Sequence, residues 1–120
     1  MSESVVVKGI DIHTYFVKDL ERARQFYLTV LGLTNVDGKQ YEFELPDGST
    51  FGLYKPQPGD GVETWQRGFG IMFAVEDAYQ AVIALRKRGV RISEALERPT
   101  CLMAFGEDSE GNQIIIHQRK

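Results

Sequence analysis

Residues 5–17 (VVVKGIDIHTYFV) are rich in β-branched and aromatic positions, which predicts a strand. Asp19 follows as a candidate helix cap. Leu20, Ala23, Phe26, Tyr27, Val30 and Leu31 then recur at helical spacing until Gly32, a stop signal. Two short runs, 40–45 (QYEFEL) and 49–55 (STFGLYK), read as strands. Pro46-Asp47-Gly48 between them predicts a turn, with φ preset at the proline and permissive at the glycine. Residues 55–67 (KPQPGDGVETWQR) carry two prolines and two glycines without periodicity and read as a linker. The pattern then restarts. Residues 69–75 (FGIMFAV) predict a strand, and Asp77 with Gln80 resembles a capping box. Ala78, Ala81, Val82 and Leu85 form an apolar helical stripe ending at Gly89. Strand-like runs follow at 90–96, 101–106 and 113–117, with Glu110-Gly111-Asn112 as the last turn.

The two halves match each other. Val17-Lys18-Asp19 recurs as Val75-Glu76-Asp77. The run from Asp47-Gly48-Ser49 to Tyr54 recurs from Glu110-Gly111-Asn112 to His117. Each half reads strand–helix–strand–strand–strand. A half of about 60 residues buries too little surface to be secure alone, so a shared core is expected. The expected class is α+β, with helices on one side of curved sheets.

Composition narrows the function. The chain has 120 residues, and 14 Lys+Arg against 17 Asp+Glu give a net charge of −3. Such a chain offers no broad basic footprint for nucleic acid or an anionic membrane. Its 42% hydrophobic and 26% charged residues suit a folded soluble domain. No apolar run is long enough to span a bilayer, and Met1-Ser2-Glu3-Ser4-Val5 lacks the features of a secretion signal. A cytoplasmic protein is expected, and a dimer fits the small size. One cysteine, Cys101, excludes an internal disulfide and a multi-cysteine zinc site. Phosphate-loop, nucleophile-elbow, dinucleotide and zinc-protease motifs are absent from the sequence.

The run VKDLERARQFYLTVLGL in the first half and DSEGNQIIIH in the second resemble the vicinal oxygen chelate superfamily. That superfamily includes glyoxalase I, fosfomycin-resistance thiol transferases, extradiol dioxygenases and bleomycin-binding resistance proteins. The resemblance covers nearly the whole chain. It implies two tandem βαβββ modules, 5–55 and 68–118, joined by linker 56–67 in one domain, with a curved mixed sheet around a cavity. One departure is Asp108-Ser109-Glu110-Gly111, where the family usually has Asp-Pro-Asp-Gly.

Metal-using members draw His, Gln or Glu ligands from the first and last strands of each module. By the family's spacing these positions are Ile12, Gly52, Gly70 and Ile115, none of which offers a side-chain donor. No metal or other cofactor is therefore expected. His13 falls one residue off the ligand position, on the face that packs under the helix, and reads as a partly buried histidine. His117 shares the cavity phase and reads as a polar ligand contact, a general base or a solvated terminal residue. Glu42 and Glu44 share a face and read as the solvated side of their strand, or as carboxylates supplied to the site. Cys101 reads as a small buried thiol rather than a nucleophile.

Strand phase predicts a mostly apolar cavity lined by Ile10, Ile12, Thr14, Phe16, Thr50, Gly52, Tyr54, Gly70, Met72, Gln113, Ile115 and His117. The glycines would leave room for a ligand. Phe16, Tyr54, Met72 and Trp65 would make apolar contacts, with Thr14, Gln113 and His117 fixing orientation. The expected function is metal-free binding of a small, partly apolar or aromatic molecule by a homodimer. The alternative is a metal-dependent lyase, thiol transferase or dioxygenase. It would need His13, His117 and Glu42 or Glu44 to converge on Zn²⁺, Mn²⁺ or Fe²⁺. A third possibility is a structural dimer without a pocket.

Overall fold

The two halves fold as two copies of one βαβββ unit. The computed structural model describes residues 4–61 and 66–120. The first unit runs β1 (His13–Phe16), α1 (Leu20–Gln25), β2 (Thr34–Val36), β3 (Lys39–Glu44) and β4 (Thr50–Tyr54). The second runs β5 (Met72–Ala74), α2 (Ala78–Lys87), β6 (Leu96–Glu97), β7 (Cys101–Glu107) and β8 (Gln113–Arg119). Each unit makes a four-stranded mixed sheet, ordered β1-β4-β3-β2 and β5-β8-β7-β6. In both, the first strand runs parallel to the last and the remaining pairs are antiparallel. Among the described residues no helix is long and apolar enough to cross a membrane.

The local signals explain the helices. The Asp19 carboxylate accepts from the Arg22 amide and the Asp77 carboxylate from the Gln80 amide, each at 3.0 Å, which satisfies otherwise orphaned donors. The first helix does not keep its period. Phe26–Val30 is π-helical, and the Leu31 amide reaches the Phe26 carbonyl at 3.3 Å. The Thr29 hydroxyl takes the Gln25 carbonyl at 2.6 Å, and Arg88 Nη1 takes the Val30 carbonyl at 2.8 Å. Side chains from two places thus satisfy carbonyls that the widened turn frees. Gly48 and Gly111, the matched turn glycines, share a positive φ of 86° and 84°, a region that side-chain-bearing residues avoid.

Three predicted strands are shorter than expected. The run 5–17 is a strand only from His13, and 69–75 only from Met72 to Ala74. Of 90–96, only Leu96 joins a strand, apart from one bridge between Ile92 and Gly106. β-branched composition alone does not make a strand; a ladder partner must also be in reach. Gly68 shows the difference between the modules. Its carbonyl accepts from the Gln113 amide at 2.8 Å, which docks the run-in to β5 beside β8. The repeat-equivalent bond, from Thr50 to Ile10, is absent. Among the described residues, Ser4–Ile12 makes no hydrogen bond and is exposed throughout.

One core serves both modules. Its inward faces present Tyr15, Val17, Phe43, Phe51 and Leu53 from the first sheet, and Phe73, Leu102, Ala104, Ile114 and Ile116 from the second. Tyr27 of the π-helical turn is fully buried. Its ring packs against Phe51 at 4.7 Å, Phe43 at 6.1 Å and Phe73 at 6.4 Å. Its hydroxyl donates to Asp108 Oδ2 at 2.6 Å. Asp108 is itself buried and accepts three more bonds, from the Glu110 and Asn112 amides and from Asn112 Nδ2. Asn112 also donates to the Phe16 carbonyl at 3.2 Å and accepts from the Gly68 amide at 2.6 Å. Glu110 accepts from the Lys18 and Asp19 amides at 2.8 and 2.7 Å. The repeat puts Leu45 where Asp108 stands and Ser49 where Asn112 stands, so this polar grip belongs to the second turn alone.

Burial, then the neighbouring Asp108 charge, holds the Tyr27 hydroxyl well above its ordinary pKa of 10.0. The folded state therefore favours the neutral phenol. Its contribution is complete below pH 10 and is lost as pH rises toward the folded-state value. Urea unfolding across alkaline pH checks this: wild-type stability falls above about pH 10, and Tyr27→Phe shows a shallower fall. At neutral pH, Tyr27→Phe lowers stability by about 1–3 kcal/mol, because a buried carboxylate loses a donor.

Candidate functional site

Side chains alternate along each strand, so the inward set fixes the outward one. Thr14 and Phe16 of β1, Thr50, Gly52 and Tyr54 of β4, and Glu42 and Glu44 of β3 share the outer face of the first sheet. The register confirms it, with Thr14 opposite Gly52, Gly52 opposite Glu42, and Phe16 opposite Tyr54. Met72, Gln113, Ile115 and His117 share the outer face of the second sheet. Met72 lies opposite Ile115, and His117 opposite Ala74 and Met103.

Within one chain the margins of the two faces meet, where Thr50 of the first and Met72 of the second come to one concavity. Phe51 and Phe73, both inward, meet edge-on at 5.4 Å, and each inner face is covered by its own module's helix, α1 on β3 and β4 and α2 on β7 and β8. Gln113 lines a concavity of about 740 Å³ with Arg67, Phe69, Arg91 and Phe105. Met72, Thr50 and Gly70 line another of about 210 Å³ with His13. Phe16, Tyr54 and His117 line neither. Trp65 lies outside the described residues.

The most developed patch is aromatic. Phe16 and Tyr54 pair at 5.6 Å and are 37% and 39% exposed, which is high for rings in paired strands. The Tyr54 hydroxyl donates to Asp60 Oδ2 at 2.6 Å, and the Gln57 amide donates to the same oxygen at 2.6 Å. These bonds tie the Pro- and Gly-rich linker to the patch. The hydrogen bond to Asp60 raises the Tyr54 pKa, and the bond from Tyr54, then that from Gln57, lowers the Asp60 pKa. Asp60 escapes sequence reading because it sits in an aperiodic linker, where a lone acid resembles turn chemistry. On the second face Met72 is 50% exposed and His117 half-buried.

The four family metal positions are apolar or lack a side chain, and the packing shows how two of them are used. A Cβ on Gly52 would stand 2.9 Å from Ile12 Cγ2, so Ile12 fills the space that the sequence assigns to a ligand. Gly70 has a φ of 99° with nothing near its absent side chain, so its role is conformational. His13 is exposed rather than partly buried. It begins β1 on the inward side opposite Phe51, at the strand end where the core stops. His13, His117 and the Glu42–Glu44 pair thus belong to different faces. Among the described residues no group of three or more His, Cys, Asp or Glu is placed to hold a metal ion. This donor set does not fit a catalytic metal. Cys101 is a buried free thiol at the start of β7.

A family model described as the Glyoxalase/Bleomycin resistance protein/Dioxygenase superfamily matches residues 9–116. The chain belongs to that superfamily. Solved structures agree on the fold of this glyoxalase/bleomycin resistance-like protein. A member of the superfamily from Sphaerobacter thermophilus is 22% identical with a TM-score of 0.80, covering 94% of this chain and 98% of its own. TnmS3, an antibiotic binding protein from Streptomyces sp. CB03234, is 18% identical with a TM-score of 0.77, covering 98% and 100%. A glyoxalase/dioxygenase from Nostoc punctiforme is 21% identical with a TM-score of 0.73, covering 100% and 99%. No curated protein matches the chain.

The Ile12–Gly52 contact is testable. Gly52→Ala overpacks it and lowers stability by about 1–3 kcal/mol. Ile12→Ala in the same chain relieves the clash, so a double-mutant cycle in urea shows a favourable coupling between the two substitutions.

Proposed function

We propose that the protein is a cytoplasmic homodimer that binds a small, partly apolar or aromatic molecule without a metal. The observation that carries this reading is the exposed Phe16–Tyr54 pair, held in place through Asp60, on a sheet face that lacks a metal-ligand set. Two aromatic rings at a wet surface are a stacking platform for a planar ligand. Thr14 lies on the same face, and Met72, Gln113 and His117 would supply further apolar and orienting contacts. Trp65 completes the proposed apolar set. The antibiotic binding description of TnmS3 supports the ligand class. The lone buried Cys101 suits a reducing compartment.

A second copy is the proposed way to join the two outer faces. Three features support it. β1 and β5 each use one edge only, for β4 and β8. The preceding arm leaves Val5 90%, Val6 77%, Val7 79% and Ile10 76% exposed, without hydrogen bonds among the described residues. The radius of gyration is 16.0 Å, whereas a compact chain of this length gives about 13–14 Å. An unpaired apolar arm next to free strand edges suits pairing with another chain.

Titration with planar aromatic antibiotics, read by Trp65 fluorescence and by the unfolding midpoint, tests the reading. The protein binds at least one, and Phe16→Ala weakens it tenfold or more, the loss expected from about 1.5–3 kcal/mol of ring burial. Removing residues 1–11 leaves a monomer by light scattering and abolishes binding. Absence of binding across the panel, or undiminished binding by Phe16→Ala, contradicts the proposal.

A further inference from the structure

Where α1, the end of α2 and the β7–β8 turn meet, a cleft of about 290 Å³ opens between the modules. Arg22, Arg88 and Arg91 contribute to its walls, with Glu107, Asp108 and Ser109. It shares Arg91 and Glu107 with the concavity that Gln113 lines, and its test does not depend on the ligand reading above. Three arginines in one small cleft are notable in a chain of net charge −3, because overall basicity does not account for them.

Two acids, Glu107 and Asp108, share the cleft, so three guanidinium groups stand against two carboxylates and the formal balance stays positive. Both Asp108 oxygens are occupied, by the Tyr27 hydroxyl, Asn112 Nδ2 and the Glu110 and Asn112 amides. Glu107 pairs with Arg67 at 3.9 Å. Arg88 gives Nη1 to the Val30 carbonyl, which fixes its guanidinium at the cleft and leaves its other donors free. The side chains of Arg22 and Arg91 have no hydrogen-bond or ion-pair partner among the described residues. A second observation points the same way. Ser109 Oγ is buried without a hydrogen-bond partner in the same cleft. A buried hydroxyl without a partner is uncommon and marks a place for a missing acceptor. Ser109 is also the turn residue that departs from the family's usual proline.

We propose that this cleft binds a phosphate group carried by a small molecule. Guanidinium forks match phosphate oxygens in pairs, and three of them suit a dianion better than a single carboxylate. The hydroxyl of Ser109 supplies a neutral donor. The volume accommodates the phosphate with a small organic body, near the lower end for ligand sites. The site lies beside the Tyr27–Asp108 contact, so an occupant braces the module junction and stabilises the folded chain.

Inorganic phosphate is the probe. At pH 7.5 it raises the unfolding midpoint above that in sodium chloride or sodium acetate of equal ionic strength. The rise is about 5 °C at a tenfold excess over its dissociation constant. It also broadens the phosphate ³¹P resonance, a readout independent of stability. Arg22→Gln with Arg91→Gln abolishes both effects while leaving the circular dichroism and the midpoint in chloride unchanged. Ser109→Ala, which keeps the charges, weakens binding several-fold. If the double variant fails to fold, Ser109→Ala alone decides. A phosphate effect no larger than that of acetate, or one that survives these substitutions, overturns the proposal.

Discussion

The two modules share one core, and two tyrosines of the first, Tyr15 and Tyr27, reach across to hydrogen-bond partners in the second. Tyr27 reaches the inward rings of both modules and ends on a carboxylate of the second, at 2.6 Å. The ring excludes water from the junction, and the hydroxyl gives the buried Asp108 a partner. Asp108 in turn shapes the turn whose Asn112 and Glu110 hold the end of β1 and the entry to α1. Removing one member leaves a buried charge or carbonyl short of donors, so the network acts as a unit.

This junction has a functional consequence. Residues in the opposite strand phase from Phe51 and Phe73 lie on the other face of each sheet, where Phe16, Tyr54 and Met72 are exposed and Ile115 is buried. The aromatic pair Phe16–Tyr54 and Met72 are open in a single chain, and His117 is half-buried. In the proposed dimer a second chain joins the two faces, with the exposed arm and the free strand edges as the means of pairing.

Much of the architecture was legible in the sequence because it repeats. The matched Asp19 and Asp77 caps and the matched turn glycines Gly48 and Gly111 gave the module order. Alternation gave the inward and outward faces. The limits were physical. The valines of the arm have strand composition but no ladder partner, and pairing is a tertiary property. The π-helical turn at Phe26–Val30 depends on Arg88, which is 58 residues away from Val30. Ile12 over Gly52 is a side-chain fit that spacing does not report. The Tyr27–Asp108 bond escapes local pattern because its partners are 81 residues apart. Asp60 and the Arg22–Arg88–Arg91 cleft are likewise assembled only by folding.

The central claim is that the pocket is shared between two chains, and subunit mixing tests it most directly. One variant carries Phe16→Ala and Tyr54→Ala; the other carries Met72→Ala and His117→Ala. Each alone is expected to bind no ligand. After exchange of subunits, half of the dimers are mixed and each has one intact site of two. The account predicts recovery of about a quarter of the wild-type capacity. A mixture that binds no more than its separate components, while subunit exchange is verified by mass, contradicts it.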